Sequence, residues 1–391
     1  MRFADRMSLL GTETAFEVLA KALALEAQGR DIVHLEIGES DFDTPTHIVE
    51  AGKQALDQGF THYGPSAGLM PVRQAIADDM SRTRGLAVTP ENIVVTPGAK
   101  PIMFFTILAL AQKGDEVIYP NPGFPIYESV IRFVGAKPVP IPLREELNFS
   151  LDVNELRDRV TDRTRLIIIN SPQNPTGGIL PPADLKAIAG IAVEKQIPVL
   201  ADEIYSRIQY DGNFHSISAY DGMEDLLIIL DGFSKTYAMT GWRIGYGVMP
   251  PDLAGHVTRL MTNSNSCTAS FTQQAAIAAL TGPHDAVFTM VEALKRRRDM
   301  FVEGLNAIPE INCTVPKGAF YLFPNITAFG KSAKEIADFL LYEGGVAALA
   351  GTDFGEHGEG YLRFSYANSR KNIAKALERI EACAARLRGG G

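Results

Sequence analysis

The chain has 391 residues, 46% of them hydrophobic and 21% charged, and its formal net charge is -9 at pH 7. This length exceeds one ordinary core and predicts two domains, and the composition is typical of a soluble globular protein. The negative charge argues against a nucleic-acid partner, because no basic stripe could offset repulsion from the phosphates.

Short apolar runs rich in β-branched residues alternate with amphipathic helical patterns through the first three quarters of the chain. Turn residues bound these runs and both faces of each run are apolar, which is typical of buried strands. The alternation predicts an α/β fold with a mainly parallel seven-stranded sheet. The predicted strands span 93–95, 117–119, 139–141, 166–169, 199–201, 227–230 and 244–248, and clear helical patterns span 101–112 and 182–195.

The pattern changes beyond about residue 282. A long charged helix is predicted at 285–306, followed by an alternating strand at 318–323 and a helix near 333–343. Two short strands, near residues 346 and 362, and a closing helix complete the pattern. This order predicts a smaller α+β domain after the α/β domain.

Cysteine usage and the chain termini bear on where the protein works. Cys267, Cys313 and Cys383 are widely spaced and odd in number, which fits a reducing cytoplasm and no disulfide framework. The longest apolar run, at 102–111, is too short to span a bilayer, which needs about 20 residues. The N-terminus lacks the apolar core of a signal peptide, and residues 389–391 are predicted to form a flexible glycine tail. The seven histidines show no metal-ligand spacing, so we expect a cytoplasmic protein with neither a membrane span nor a metal site.

Residues able to do chemistry follow four of the predicted strands. Gly98 follows the first strand, residues 170–174 the fourth, Asp202 the fifth and Lys235 the sixth. Ligands of parallel α/β sheets bind outside the carboxyl ends of the strands. We therefore expect these residues to surround one ligand site.

The run at 232–245, GFSKTYAMTGWRIG, is the most informative part of the chain. Its single lysine, Lys235, lies among small, hydroxyl-bearing and glycine residues. A desolvated lysine amine can act as a neutral nucleophile, as a Schiff base with a carbonyl requires. Ser234 and Arg243 offer a hydroxyl and a planar guanidinium that suit a phosphate beside the amine. An isolated lysine of this kind would more often lie on a solvated surface, but the residues after the other strands favour a site.

This run resembles, position by position, the lysine signature of the class I aminotransferases, which are fold-type I enzymes that use pyridoxal 5′-phosphate (PLP). The similarity continues from about residue 15 to about residue 384. The resemblance implies a large PLP-binding domain at 42–284 and a small domain formed by 1–41 and 285–391, with the helix at 285–306 bridging the two. It also implies a homodimer.

Three residues have catalytic roles if the resemblance holds. Lys235 bonds the cofactor and then moves a proton between the substrate's Cα and the cofactor. Asp202 pairs with the protonated pyridine nitrogen, and a buried carboxylate does need such a cation, since burying it unpaired costs several kcal/mol. Tyr205 donates a hydrogen bond to the 3′-oxygen of the cofactor. Glu203 points elsewhere by strand alternation and is expected to be structural.

The resemblance assigns further residues to the cofactor. Backbone N–H groups of Gly98, Ala99 and Lys100, at the start of a helix, receive the phosphate together with Ser234 and Arg243. The other implied contacts are Phe124 stacking on the pyridine ring, Asn174 on the 3′-oxygen, and Tyr63 reaching the phosphate of the neighbouring subunit. Tight functional turns retain cis-proline, so the Asn174–Pro175 bond is a candidate cis bond.

Substrate recognition is implied at a second set of positions. Arg363 lies in an apolar strand pattern and needs an anion, which a substrate α-carboxylate supplies in a bidentate pair. The alternative for Arg363 is a structural salt bridge. Asn174 and the N–H group of Gly38 are implied to meet the same carboxylate. Lys100 matches a lysine that, in one bacterial aspartate aminotransferase subgroup, reaches the distal carboxylate of a dicarboxylic substrate.

These assignments predict an aminotransferase (EC 2.6.1.-) that works by ping-pong half-reactions, with aspartate or glutamate as donor and 2-oxoglutarate as acceptor. The segment at 13–17 leaves other donors open, because Ala15 stands where that subgroup has a threonine. Glu13 or Glu17 and the aromatic Phe16 could favour neutral, aromatic or basic donors. A β-lyase remains an alternative. A decarboxylase is less favoured, because it would remove the α-carboxylate that Arg363 is expected to bind. A non-catalytic ligand-sensing module is the alternative from another class.

Overall fold

A computed structural model describes residues 1–388 of the protein, and the glycine tail predicted at 389–391 lies outside the described residues. Strands and helices alternate through most of the chain. The strands are β1 (Val33–His34), β2 (Ile93–Thr96), β3 (Glu116–Asn121), β4 (Lys137–Pro142), β5 (Thr164–Asn170), β6 (Val199–Asp202), β7 (Leu227–Gly232), β8 (Gly245–Val248), β9 (Tyr321–Leu322), β10 (Val346–Ala347), β11 (Leu349–Ala350) and β12 (Leu362–Ser365).

The α-helices carry most of the residues between these strands. Proline stands in the first turn of the helix that begins at Pro182, where its missing N–H group costs nothing. The helices are α1 (Thr14–Glu26), α2 (Thr46–Asp57), α3 (Met70–Arg84), α4 (Lys100–Leu110), α5 (Ile126–Phe133), α6 (Val153–Arg159), α7 (Pro182–Lys195), α8 (Pro251–Ser264), α9 (Ser270–Thr281), α10 (Asp285–Asn306), α11 (Ala333–Phe339) and α12 (Arg370–Arg388).

All seven strands predicted in the first part of the sequence belong to one sheet, with the order β2-β8-β7-β6-β5-β3-β4. Strand β8 runs antiparallel to both of its neighbours, and the remaining pairs are parallel. The predicted fold class, a mainly parallel α/β sheet, is therefore confirmed. The parallel strands place their carboxyl ends along one edge of the sheet.

Burial on both faces explains the apolar strand sequences. In β5, Ile167 and Ile169 pack into a core on one face, while Leu166 and Ile168 pack into a core on the other. Each fully buried side chain of this size contributes about 1.5–3 kcal/mol. Helices cover both faces, so every position of such a strand must be apolar.

The last third of the chain forms a second core around α10 and α12. Strands β11, β12 and β9 form an antiparallel sheet, and β1 pairs in parallel with β10. Helix α10 has the bounds that the sequence predicted. The strand predicted at 318–323 is shorter than expected, because Ala319 has a φ of 55° and leaves the extended conformation.

The N-terminal segment contacts both parts of the molecule. Val33 pairs with Val346 in the smaller part, as the resemblance implied. Closer to the N-terminus, however, Gly11 donates its N–H group to Ser129 Oγ at 2.8 Å, on helix α5 beside the large sheet. The two separate cores support the predicted domain boundaries, which stay a prediction.

Some features bear on the cellular setting of the protein. Among the helices of residues 1–388, none combines the length and the apolar character that crossing a bilayer requires. The three cysteines are free thiols, and burial raises the pKa of Cys313 to about 12, which keeps that thiol unreactive. Over the same residues, no cluster of His, Cys, Asp and Glu side chains is arranged to hold a metal ion.

Candidate active site

A cavity of about 610 Å³ opens at the carboxyl ends of β5, β6 and β7, where the large sheet meets the smaller part. Strand β12 and the N-terminal end of α1 close its other sides. The predicted site residues that line it are Gly38, Ala99, Lys100, Phe124, Asn174, Asp202, Tyr205, Ser234, Lys235, Arg243 and Arg363. The structure thus brings together residues from seven separate parts of the chain.

Lys235 lies in the loop after β7 with its amine inside the cavity. Its Nζ donates to the Gly38 carbonyl oxygen at 2.6 Å and lies 5.9 Å from the centre of the Phe320 ring. Desolvation lowers the pKa of Lys235 to about 8, and the positive charges of Arg363 and Arg243 act in the same direction. A sizeable neutral fraction therefore exists near neutral pH, which is the form that attacks a carbonyl group.

Asp202 ends strand β6 and is buried at the foot of the cavity. Its carboxylate accepts hydrogen bonds from Tyr127 Oη at 2.5 Å and from the Ile204 N–H group at 3.2 Å. Burial raises the pKa of Asp202 to about 6, and within residues 1–388 no cationic side chain forms an ion pair with it. A protonated ring nitrogen reaching into the cavity would supply the missing positive charge, so this carboxylate fits the predicted pyridine partner.

Tyrosines form the wall beside these groups. Tyr205 Oη lies 2.7 Å from Tyr321 Oη, and burial raises the pKa of Tyr205 well above its ordinary value, which keeps the phenol protonated as a donor. The position of Gly38 must be glycine, because a Cβ there would lie 2.0 Å from Tyr321 Oη. Tyr321 and Tyr127 were not among the predicted site residues. Tyr127 had a usable signal, since it lies only three residues after Phe124, and the two rings pack edge to face with their centres 5.6 Å apart.

A backbone cradle lies at the start of helix α4. Gly98 has a φ of 84°, and a Cβ there would lie 2.3 Å from a guanidinium nitrogen of Arg243. Helix α4 begins at Lys100, so the first N–H groups of the helix are free to bind an anion. Arg243 donates through Nη1 to the Thr240 carbonyl oxygen at 2.8 Å, which orients the guanidinium toward the cradle. These groups fit a phosphate.

Arg363 projects from β12 into the cavity and is 4% exposed. Its Nη1 donates to Asn174 Oδ1 at 3.2 Å and its Nη2 to the Glu36 carbonyl oxygen, while its Nε has no partner among the described residues. No carboxylate forms a salt bridge with it there, so the alternative of a structural salt bridge finds no support. A buried guanidinium with a free donor is suited to an incoming carboxylate.

Two predicted site residues do not line the cavity: Gly98 lies just behind its wall, against Arg243, whereas Tyr63 points away from it. Its side chain is 89% exposed. A second, more open cavity of about 860 Å³ shares Thr240 and Arg243 with the first one and is also lined by Cys267, whose sulfur accepts the N–H group of Gly64. Because Gly64 contacts a residue that lines the second cavity, its neighbour Tyr63 lies near that cavity and outside the first one.

A buried ion network lies beneath the strand ends that hold the site. Arg84, at the end of α3, donates to Glu203 at 3.1 Å and to Asp231 at 2.7 Å. Burial raises the pKa of both acids, and the guanidinium opposes that shift. The expected structural role of Glu203 has a physical basis here: the network ties the end of β7 and the first residue after β6 to α3.

Replacing Arg84 by methionine should lower the free energy of unfolding by about 3–5 kcal/mol, because two buried carboxylates lose their cation. Urea unfolding measures this change. Arg82→Met is the matched control: Arg82 is largely exposed and pairs with Asp79, so its loss should cost about 0–1 kcal/mol. Equal effects of the two substitutions would contradict a stabilising role for the buried network.

The α/β fold thus carries a cavity that holds a buried lysine amine of lowered pKa and a buried arginine that, within residues 1–388, has no carboxylate partner. The chain matches the family model described as aminotransferase class I and II over residues 30–380. It is 40% identical to an aspartate aminotransferase of Pyrococcus horikoshii, covering 97% of this chain and 96% of the relative. It is 38% identical to an aromatic-amino-acid aminotransferase of Thermococcus litoralis, covering 97% and 98%.

A solved structure agrees with these sequence matches. The aspartate aminotransferase of Thermus thermophilus with maleate superposes with a TM-score of 0.94 at 38% identity, covering 98% of this chain and all of the other. The chain belongs to the family of class I and II aminotransferases. It is a transferase that moves an amino group from an amino acid to a 2-oxo acid, as the sequence predicted.

Proposed function

We propose that the chain binds pyridoxal 5′-phosphate in the cavity beside Lys235 and uses it to transfer amino groups between acidic amino acids and 2-oxo acids. One observation carries this proposal. The lowered-pKa amine of Lys235, the unpaired buried carboxylate of Asp202 and the free Nε donor of Arg363 face the same cavity. Free thiols suit a reducing compartment, and we place the enzyme in the cytoplasm.

Each group of the cavity has a role in holding the cofactor. Gly98, Ala99, Lys100, Ser234 and Arg243 would bind its phosphate, the first three through backbone N–H groups. Asp202 would pair with its protonated ring nitrogen, Tyr205 and Asn174 would bind its 3′-oxygen, and Phe124 would stack on its ring. When bound, PLP supplies an electron sink for the carbanion that forms when the α-proton leaves.

The chain's own residues bind the substrate and move the proton. Arg363, held by Asn174, binds the α-carboxylate in a bidentate pair, and the N–H group of Gly38 lies on the same side of the cavity. This anchoring fixes the Cα–H bond of the amino acid relative to Lys235. The Lys235 amine, neutral in part near pH 8, would take the proton from the substrate's Cα and deliver it to the cofactor side, and in the second half-reaction it would carry a proton back to Cα.

Lys100 makes acidic donors the favoured substrates. Its ammonium group lines the cavity, and a substrate's distal carboxylate would form a charge-assisted hydrogen bond with it. The Pyrococcus and Thermus relatives are aspartate aminotransferases, and the latter was solved with the dicarboxylate maleate. Aromatic donors are the second candidate, because Phe16 is 61% exposed at the cavity wall and the Thermococcus relative is an aromatic-amino-acid aminotransferase.

A comparison of donors tests the proposal. The cofactor-loaded enzyme is mixed with aspartate, glutamate, phenylalanine, alanine or arginine, and single-turnover rates are followed through the absorption of the bound cofactor. Aspartate and glutamate should react fastest, with phenylalanine next. If the two acidic amino acids are the poorest donors, the acidic specificity is wrong.

We also propose a homodimer in which Tyr63 serves the partner's phosphate site. Its exposed side chain, outside the cavity of its own chain, supports this arrangement. Mixing inactive Tyr63→Ala and Lys235→Ala chains should restore up to about a quarter of the native turnover, because one of the hybrid dimer's two sites carries neither substitution. The measurement is activity after chain exchange, with exchange verified by mass spectrometry. Exchange without any recovery would contradict a shared site.

A further inference from the structure

The N-cap residue and the first turn of α1 form part of the cavity wall. Glu13, Thr14, Ala15 and Phe16, called here the N-terminal arm, line the cavity together with Lys100. A substrate anchored at the far end by its α-carboxylate has to place its side chain in the remaining space. The arm and Lys100 line that space.

Glu13 precedes helix α1 but does not cap the helix with its side chain. It occupies the N-cap position of α1, but its carboxylate accepts no N–H group of the helix. Instead it forms an ion pair with Lys100, which lies 87 residues further along the chain. The positive end of the helix dipole favours a carboxylate at this place. Lys100, the cation that would attract an acidic substrate, is therefore already paired with the carboxylate of Glu13.

Aromatic side chains lie near the ion pair, and a further acidic residue lines the same cavity. Lys100 Nζ lies 5.3 Å from the centre of the Phe124 ring, and Phe16 is largely exposed beside the pair. Asp353 also lines the cavity, and burial raises the pKa of its carboxyl group. A neutral or aromatic side chain meets suitable surfaces without disturbing the pair. A second carboxylate meets repulsion from Glu13 until Glu13 leaves Lys100.

We infer that Glu13 determines specificity by competing with the distal carboxylate of a substrate for Lys100. A dicarboxylic substrate exchanges with Glu13, whereas a neutral or aromatic substrate leaves the ion pair intact. The enzyme consequently accepts both classes and binds the acidic class more weakly than a lone lysine would allow. This inference rests on the proposed function, since it requires the α-carboxylate at Arg363.

Equilibrium binding of two unreactive acids tests the inference. The dicarboxylate succinate and the monocarboxylate 3-phenylpropionate are titrated into the cofactor-loaded enzyme by calorimetry. Glu13→Gln should lower the Kd of succinate about fivefold, the gain expected when a partly exposed ion pair stops competing. The Kd of 3-phenylpropionate should not change. In a Lys100→Met background, Glu13→Gln should no longer affect succinate.

Glu17→Gln is the matched control, because it removes the same charge from the same helix at an exposed residue that does not line the cavity. An unchanged succinate Kd in Glu13→Gln would overturn the inference, and so would an equal gain in Glu17→Gln or in the Lys100→Met background. Failure of the proposed function has a different signature: neither acid would bind, or both would bind equally well to Arg363→Met, and that result would overturn both proposals.

Discussion

Replacing Lys235 by alanine should reduce turnover on the order of 10⁴-fold or more, because one residue supplies both the nucleophilic amine and the proton carrier. PLP should still bind, held by the phosphate cradle and by Asp202, but it should be removable by dialysis. Steady-state kinetics and cofactor content after dialysis measure the two effects. Reduction with borohydride should attach the cofactor to the native chain and leave the variant unlabelled.

Lys235→Arg is the control for charge. Arginine keeps a cation in the cavity but cannot become a neutral amine, so it should be as inactive as alanine. A Lys235→Ala variant that retains turnover within tenfold of native, or a reduced peptide labelled at another lysine, would contradict the role of Lys235.

The Asp202→Asn substitution should lower kcat/KM about 10²- to 10⁴-fold. An asparagine has nearly the same shape but cannot pair with a protonated ring nitrogen, and losing one partner of a buried ion pair costs about 3–5 kcal/mol. Tyr127→Phe is the matched control, because it removes one neutral hydrogen-bond donor to Asp202 and leaves the charge. Its effect should be about tenfold at most.

The pH dependence of unfolding of the cofactor-free enzyme is a second test of Asp202. The pKa of Asp202, about 6 in the folded chain, lies above the ordinary value of 3.8, so the folded state holds the proton more tightly. The stability that this group contributes is fully present below pH 3.8 and is lost as the pH rises through 6. Because asparagine does not titrate, the free energy of unfolding of Asp202→Asn should lack this decrease with pH. Native-like kcat/KM together with an unchanged pH profile of unfolding would show that Asp202 is not the charged group of the site.

Much of the fold could be predicted because its signals are local. Buried parallel strands are apolar on both faces, so runs such as 166–169 stand out, and helix α10 shows its length through a regular charged face. The strand at 318–323 was overestimated because the left-handed backbone at Ala319 leaves no trace in the apolar pattern. The contact of Gly11 with helix α5 could not be predicted, because it joins residues that are 118 positions apart and no local pattern shows where the N-terminal segment runs.

The site was partly predictable for a related reason. Polar residues that follow parallel strands lie at one edge of the sheet, so Asp202 and Lys235 could be predicted to lie in the same site from their positions alone. Arg363 and Asn174 meet across 189 residues, and their pairing could be expected only through the family resemblance. The ion pair between Glu13 and Lys100 was not predicted, since the two residues are 87 positions apart and only the folded chain brings them together. The roles assigned to the site residues remain predictions.

The most direct test of the central claim is the amount of 2-oxo acid released when glutamate is added to the cofactor-loaded enzyme without an acceptor. An aminotransferase completes one half-reaction and stops, so we predict one equivalent of 2-oxoglutarate per chain and no ammonia. Oxaloacetate added afterwards should restart the reaction and yield aspartate in the same amount. Continuous release of ammonia, or no 2-oxo acid from any amino donor, would contradict amino-group transfer at this site.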